Sequence, residues 1–463
     1  MTDQPALPAP AYGPGPSAAG TPIRLLEVEI GQEIADVPLV HPQTGQRYSR
    51  ALSLVRLHSR PLGFVELRSP AEVIREREYA GAIWNALGPQ IVEHLREDGL
   101  PPVAALDAAG LPHAGVPPCE QDRRQFLRDA PFVSVVVATR DRPESIAACL
   151  RSLTSLDYPR YEIIVVDNVP TTSATADLIA QAYGAGTARR AGPAVHYVRE
   201  DHPGPSWARN RGLLLARGEL VAFTDDDVLL DPHWLTELVR GFAAGQNVAC
   251  VTGPIVPREL ETPAQIWLEQ YGGFCKGFAR RLYDLREHRP ADRLYPYTVG
   301  KFGSGANMAF RTSALRTLGG FDPALGPATP ALAAEDIAVF FQVIDGGYQL
   351  VYQPGAIVYH AHPKDYARFK KQVYAYGVGF SAFVTKSVID NPRTLLNLSH
   401  KLPRGLAYAL SPRSDKNQKK TPGYPRELTV AELRGMLRGP FAYLAGRWRN
   451  RVRRPRTVVE ARA

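Results

Sequence analysis

Three consecutive carboxylates, Asp225-Asp226-Asp227, follow the apolar run Leu220-Val221-Ala222-Phe223-Thr224. Along a strand, side chains two apart point the same way, so Asp225 and Asp227 can converge on one object while Asp226 turns aside. Neighbouring carboxylates repel one another unless something positive compensates. Hard cations such as Mg²⁺ and Mn²⁺ take carboxylate oxygen and can bridge to a diphosphate. Taken alone, the triplet reads more readily as a solvated acidic turn.

Other segments supply groups that suit the same chemistry. Asp167-Asn168 ends the apolar run Ile163-Ile164-Val165-Val166, where a carboxylate can accept from a nucleobase or ribose, although Asp-Asn also makes ordinary turns. Gly204-Pro205-Ser206-Trp207-Ala208-Arg209-Asn210 opens a helix and presents backbone N–H groups and Arg209 to an anion; a capped helix with a surface arginine is the plain alternative. Gly303-Ser304-Gly305-Ala306-Asn307 combines permissive glycines with small side chains, as backbone lying against a ligand requires. Ala334-Glu335-Asp336 sets carboxylates in the first turn of a helix, which is also a normal place for them. Val358-Tyr359-His360-Ala361-His362 ends a strand with histidines two apart, a pair that is more often structural than metal-binding.

The elements that must carry these groups follow from hydrophobic period. Val133–Ala138 is a buried strand, followed by a helix from Pro143 whose apolar Ile146, Cys149, Leu150, Leu153 and Leu156 share one face. Strands at Glu162–Val166, Val195–Arg199 and Leu220–Thr224 alternate with helices at Ser173–Tyr183 and Trp207–Ala216. This order predicts an α/β fold, a mostly parallel sheet with helices on both faces and ligands at the carboxyl ends of its strands. Upstream, residues 23–97 read as a small α+β domain, with strands at Ile23–Ile30 and Ala51–Leu57 and a helix opened by the capping box Ser69-Pro70-Ala71-Glu72. Residues 98–130, rich in Pro and Gly, read as a linker, and residues 1–22 as a disordered Pro/Ala/Gly leader lacking the features of a secretory signal. The catalytic candidate is residues 131–362, and 363–463 is a helical region with a basic tail.

The net charge of +9 is unevenly placed: residues 401–463 hold 16 Lys/Arg against 4 Asp/Glu, or +12, which leaves −3 for the rest. Within that tail, Phe441, Leu444, Ala445, Trp448 and Val452 share one side of a helix flanked by arginines, the pattern of a helix lying on an anionic membrane surface through residues 425–463. Nucleic acid is not an expected partner, since no helix-turn-helix, RNP-like or zinc pattern accompanies the tail. No run reaches the ~18 apolar residues of a membrane span. The cysteines Cys119, Cys149, Cys250 and Cys275 lie far apart with no histidine at ligand spacing, so they read as inert thiols in a reducing cytosol. Location is thus expected to be cytoplasmic, with peripheral attachment to the inner face of the cell membrane.

Taken in order, Ser134–Arg142, Ile164–Asn168, Ala208-Arg209-Asn210, Asp225-Asp226-Asp227, Gly305-Ala306-Asn307-Met308, Gly319-Gly320-Phe321-Asp322, Glu335-Asp336 and His360 resemble the family 2 glycosyltransferases over about residues 131–385. The resemblance implies a GT-A fold and inverting, metal-assisted transfer from a nucleoside-diphosphate sugar, with UDP the nucleotide by family habit, to a saccharide or lipid-linked acceptor. By motif match Asp167 and Asn168 hold base or ribose, and Thr139 and Arg142 line the base pocket. Arg209, Asp225, Asp226, Gly305 and Asn307 border the nucleotide. Asp225, Asp227 and His360 meet Mn²⁺ or Mg²⁺, and Asp336, with Glu335 beside it, supplies the general base. Two positions depart from the family pattern: Ala334 stands where Gly is common before Glu-Asp, and Gln342 where an Arg is common after it. A nucleotidyltransferase would need a glycine-rich basic loop after the first strand, which Ala138–Pro143 is not; a non-catalytic nucleotide-sugar binder would not need Asp225, Asp227 and Asp336 together.

Overall fold

The computed structural model describes residues 21–184, 192–411, 413–414, 416–418, 420 and 423–453; apart from residues 21 and 22, the leader lies outside them. The chain begins with β1 (Arg24–Glu29), β2 (Val37–Pro38), β3 (Arg50–Leu57), β4 (Arg60–Arg68), β5 (Val73–Ile74) and α1 (Glu76–Glu97). β1 runs parallel to β3 and β4 antiparallel to it, and α1 covers the sheet with Tyr79, Ile83, Leu87 and Ile91. This is the expected α+β unit, but α1 starts later than the capping box predicts. Ser69 Oγ accepts from Ala71 N in a tight turn instead, and β5 pairs with β2, which keeps the chain extended as far as Arg75.

Residues 98–130 are more ordered than a linker. Backbone bonds from Ile34 N to Ala108 O and from Leu111 N to Ile30 O pin the segment to the small domain. Its second half forms α2 (Pro118–Arg128), with Pro118 in the first turn, where the missing N–H costs nothing.

There follow β6 (Val133–Thr139), α3 (Pro143–Leu153), β7 (Tyr161–Asn168), α4 (Ala174–Tyr183), β8 (Ala194–Glu200), α5 (Pro205–Leu215), β9 (Leu220–Asp225), β10 (Val228–Leu230), α6 (Trp234–Gly241), β11 (Val248–Thr252), β12 (Ile255–Pro257), α7 (Pro263–Tyr271), β13 (Arg281–Tyr283), β14 (Asn307–Arg311), α8 (Thr312–Thr317), α9 (Glu335–Asp345), β15 (Gln349–Tyr352) and β16 (Val358–His360). The main sheet has the order β13-β15-β11-β14-β9-β6-β7-β8. Its β9-β6-β7-β8 half is parallel, while β14 and β13 run against their neighbours. Alternate residues of β6 and β7 feed opposite cores: Val136, Ile164 and Val166 join one, and Val133, Val135, Val137, Ile163 and Val165 the other. Burial on both faces is why these strands are unbroken apolar runs. The expected mostly parallel α/β sheet, covered by helices on both faces, is the observed one.

Register sets the rim. Thr139 pairs with Asp167, and Ala138 with Asp225, so three parallel strands end level with one another. A smaller sheet, β10-β16-β12, pairs Val228 with His360 and so sets His360 beside Asp227.

The C-terminal region comprises α10 (Tyr366–Asp390), α11 (Arg393–Leu410) and α12 (Arg426–Arg453). On α10, Phe369, Val373 and Phe383 are buried. α12 is docked against α10 through glycines. A Cβ on Gly377 would lie 2.1 Å from Glu432 O, on Gly435 2.3 Å from Tyr374 O, and on Gly439 2.4 Å from Val378 O. No helix among the described residues is long and apolar enough to cross a membrane.

Candidate active site

The three aspartates part as alternation requires, but each meets a different partner. Asp226 is buried, accepting from Thr139 Oγ1 at 2.7 Å and from Arg142 Nη1 at 3.1 Å. Burial pushes its carboxyl up to about 6 despite those two donors. Asp225 and Asp227 keep 36% and 33% of their side-chain surface, so they are the accessible pair. Asp225 Oδ1 accepts from Arg209 Nη2 at 3.0 Å, whose Nη1 donates to Glu335 Oε1 at 2.9 Å. Asp227 Oδ1 lies 3.5 Å from His360 Nε2. Behind His360 a chain continues inward: its Nδ1 is 3.2 Å from His362 Nδ1, and His362 Nε2 is 2.7 Å from Glu269 Oε1. Burial lowers the His360 pKa, which favours the neutral imidazole that can ligate a cation.

Asp336 stands across from these groups at the start of α9. Its Oδ2 accepts from Gly305 N at 2.7 Å and its Oδ1 from Ile337 N at 2.8 Å. No cation is paired with it among the described ion pairs. Gly305 has a steric reason to be glycine: a Cβ there would lie 3.1 Å from both Arg209 Nη2 and Asp336 Cβ. Ala334, the N-cap of α9, has φ 81° and ψ 13°, the left-handed conformation that glycine adopts without strain. The departure from the family pattern at this position therefore keeps the backbone shape at a cost of about 1 kcal/mol.

At the other end of the rim Asp167 is buried. Its Oδ2 accepts from Tyr197 OH at 3.1 Å, while Oδ1 has no partner, and burial raises its pKa. Unmet acceptor capacity suits the base or ribose contact expected of it.

Several residues expected to border the nucleotide instead build the walls. Asn168 spends its amide on His202 O and Gly204 N, fixing the loop before α5. Asn307 donates to Pro254 O and Ala356 O and accepts from Trp234 Nε1, wholly inside the protein. Thr139 donates to Asp226, and Arg142 to Asp226 and Asp227. Arg209 is 4% exposed and paired with Asp225 and Glu335, so it ties those two carboxylates together. Glu335 is correspondingly a buried ion-pair partner beside Asp336, with its pKa raised by burial. Asp225, Asp227 and His360 lie on one rim, yet they do not form a closed ligand set; among the described residues the group that does is elsewhere.

Asp225, Glu335, Asp336 and His360 open into a cavity of about 1290 Å³. Its walls are largely apolar: Leu52 and Phe64 from the small domain, Phe274 and Phe278 after α7, Tyr376 from α10, Leu402 and Leu406 from α11, and Met436 from α12. No sequence signal tied residues 23–97 to this cavity. The small domain is fixed there by Arg56, which donates to Asp231 Oδ2 at 2.6 Å and Tyr359 OH at 2.9 Å, and by Tyr48 OH to Glu261 at 2.8 Å.

A mostly parallel sheet with carboxylates along the carboxyl ends of its strands has the arrangement in which open α/β sheets bind ligands. Residues 134–319 match the family described as "Glycosyl transferase family 2". The chain is similar to the glucosyl-dolichyl phosphate glucuronosyltransferase of Haloferax volcanii, 24% identical over 49% of this chain and 68% of that one. The pre-mycofactocin glycosyltransferase of Mycobacterium tuberculosis is 28% identical over 50% of this chain and 43% of its own. An uncharacterised protein of Sinorhizobium fredii is 27% identical over 53% of this chain and 27% of its own. The chain thus spans from about a quarter to two thirds of these relatives' lengths.

Proposed function

We propose that the protein transfers a glycosyl group, with inversion, from a nucleoside-diphosphate sugar to a hydroxyl of an acceptor that carries a large apolar part. The observation that carries this reading is Asp336: a carboxylate held by two backbone N–H groups, without a cation partner, opening into a mainly apolar cavity it shares with Asp225 and His360. Inverting transfer needs one base to take the acceptor's proton as its oxygen attacks the anomeric carbon, and no covalent nucleophile. Asp336 takes that role, with Gly305 N–H holding its orientation.

The donor's diphosphate belongs at Asp225 and Asp227. The donor set, two accessible carboxylates and a neutral imidazole, fits Mn²⁺ or Mg²⁺ at Asp225, Asp227 and His360. Such an ion, when bound, neutralises charge on the departing diphosphate. The apolar walls favour a lipid-linked acceptor, and the Haloferax volcanii relative is by name a transferase for glucosyl-dolichyl phosphate. α12 suits the same picture: Leu437, Phe441, Leu444 and Trp448 are 78, 74, 52 and 70% exposed in one stripe, with exposed Arg434 and Arg438 among them, a face fit for an anionic membrane.

The test begins with a thermal-shift screen of nucleoside diphosphates and their sugars with Mn²⁺ or Mg²⁺, since a bound ligand stabilises the fold. With the donor so identified, Asp336→Asn is expected to keep the shift and lose transfer by about 10² to 10⁴-fold. Normal turnover by that variant would remove Asp336 as the base.

A further inference from the structure

A second cluster of ligating side chains lies in the small domain, away from the donor rim. His58 sits in the turn between β3 and β4, His94 in the last turn of α1, Asp98 at its C-cap, and Cys119 in the first turn of α2. One ligand atom from each lies within 4.8 Å of all the others. His58 Nδ1 is 3.0 Å from Asp98 Oδ2 and 3.1 Å from His94 Nε2. His94 Nε2 is 3.5 Å from Asp98 Oδ2 and 3.9 Å from Cys119 Sγ. A tetrahedral zinc ion with bonds of about 2.0 to 2.3 Å requires its ligand atoms to stand roughly 3.3 to 3.6 Å apart. The observed edges bracket that value.

The four groups lie close together inside the small domain. His58 Nδ1 contacts both Asp98 and His94, and the Cys119 thiol stands 3.9 Å from His94 Nε2. His94 is 2% and His58 6% exposed, so the cluster is shielded from bulk water.

We propose that His58, His94, Asp98 and Cys119 form a closed, structural zinc site. Two imidazoles, a thiolate and a carboxylate are a donor set of zinc type, and four protein ligands leave no open position for catalysis. On binding, the Cys119 thiol gives up its proton to solvent and the thiolate ligates the ion. The ion joins the end of α1 to the start of α2 across the 98–117 segment, and α2 leads directly into β6 of the catalytic sheet. It therefore fixes how the small domain sits against the sheet whose cavity it walls. In this proposal Cys119 is a ligand, where its spacing in the sequence suggests an inert thiol.

The experiment is metal analysis of the full chain purified without chelators, followed by replacement with Co²⁺. One zinc per chain is expected. The cobalt form is expected to show tetrahedral d–d absorption and a thiolate-to-cobalt charge-transfer band, and Cys119→Ser to lose that band. An ion held at Asp227 and His360 gives no such band, as no thiol is there. A folded chain without stoichiometric zinc, a cobalt form without the charge-transfer band, or a band that persists in Cys119→Ser would each overturn the proposal. The first two readings need no variant to fold.

Discussion

Replacing Arg209 by Met keeps most of its volume and removes the charge between Asp225 and Glu335. Two charge-assisted bonds, at 3.0 and 2.9 Å, are lost from a side chain that is 4% exposed. Each such bond contributes about 1.5 to 3 kcal/mol, and breaking a buried ion pair from one side costs about 3 to 5 kcal/mol because the remaining charge is stranded. We expect about 4 kcal/mol near pH 7.5, close to a thousandfold in the unfolding equilibrium. The loss must depend on pH. Burial already raises the Glu335 pKa and Arg209 opposes that rise, so without Arg209 it rises further. A carboxylate with a raised folded pKa destabilises above that value and ceases to do so as it protonates, so the deficit shrinks toward pH 5. Urea unfolding followed by tryptophan fluorescence at the two pH values measures both quantities. Arg209→Lys, with a charge but no fork, should fall between. A loss under about 1 kcal/mol, or an equal loss at both pH values, would refute the reasoning.

Asp226, pushed up to about 6 by burial, carries a related cost: its ionisation opposes folding increasingly from about pH 4 to 6 and fully above that, by roughly 3 kcal/mol. Asp226→Asn should therefore flatten the stability–pH profile across that window relative to the wild type, as read from urea midpoints. On α12, Phe441→Ser with Trp448→Ser should reduce co-sedimentation with vesicles containing anionic lipid and leave nucleotide binding intact; undiminished sedimentation would detach this face from membrane binding.

The strand ends were legible because burial on both sheet faces leaves an unmistakable apolar run, and Asp167, Asp225 and Asp336 follow from where such runs stop or a helix starts. What was not legible was who pairs with whom. Thr139, Arg142, Asn168, Arg209 and Asn307 have the residue types of ligand contacts, yet their partners come from distant segments that only the assembled fold brings close. Asn210 makes the point in reverse: its amide grips the backbone of Phe321 from both sides, and Gly320 leaves room for it, which is why those two motifs occur together. The start of α1 was misplaced because the partner of Val73 and Ile74 lies at Val37 and Pro38, beyond the reach of a local capping signal. The four residues of the second cluster offered only His94 and Asp98, four apart, as a local sign.

The glycine seam between α10 and α12 has a mechanical meaning. Where backbone meets backbone there are no long side chains to flex, and neither helix can slip by a turn without driving carbonyls together. The exposed stripe of α12 and the cavity wall made by Tyr376 and Met436 are then parts of one stiff bracket. If that stripe rests on a bilayer, the height of Asp336 above the lipid is a constant of the fold. The acceptor must rise to a fixed station, and its length, more than any motion of the enzyme, decides which hydroxyl arrives there.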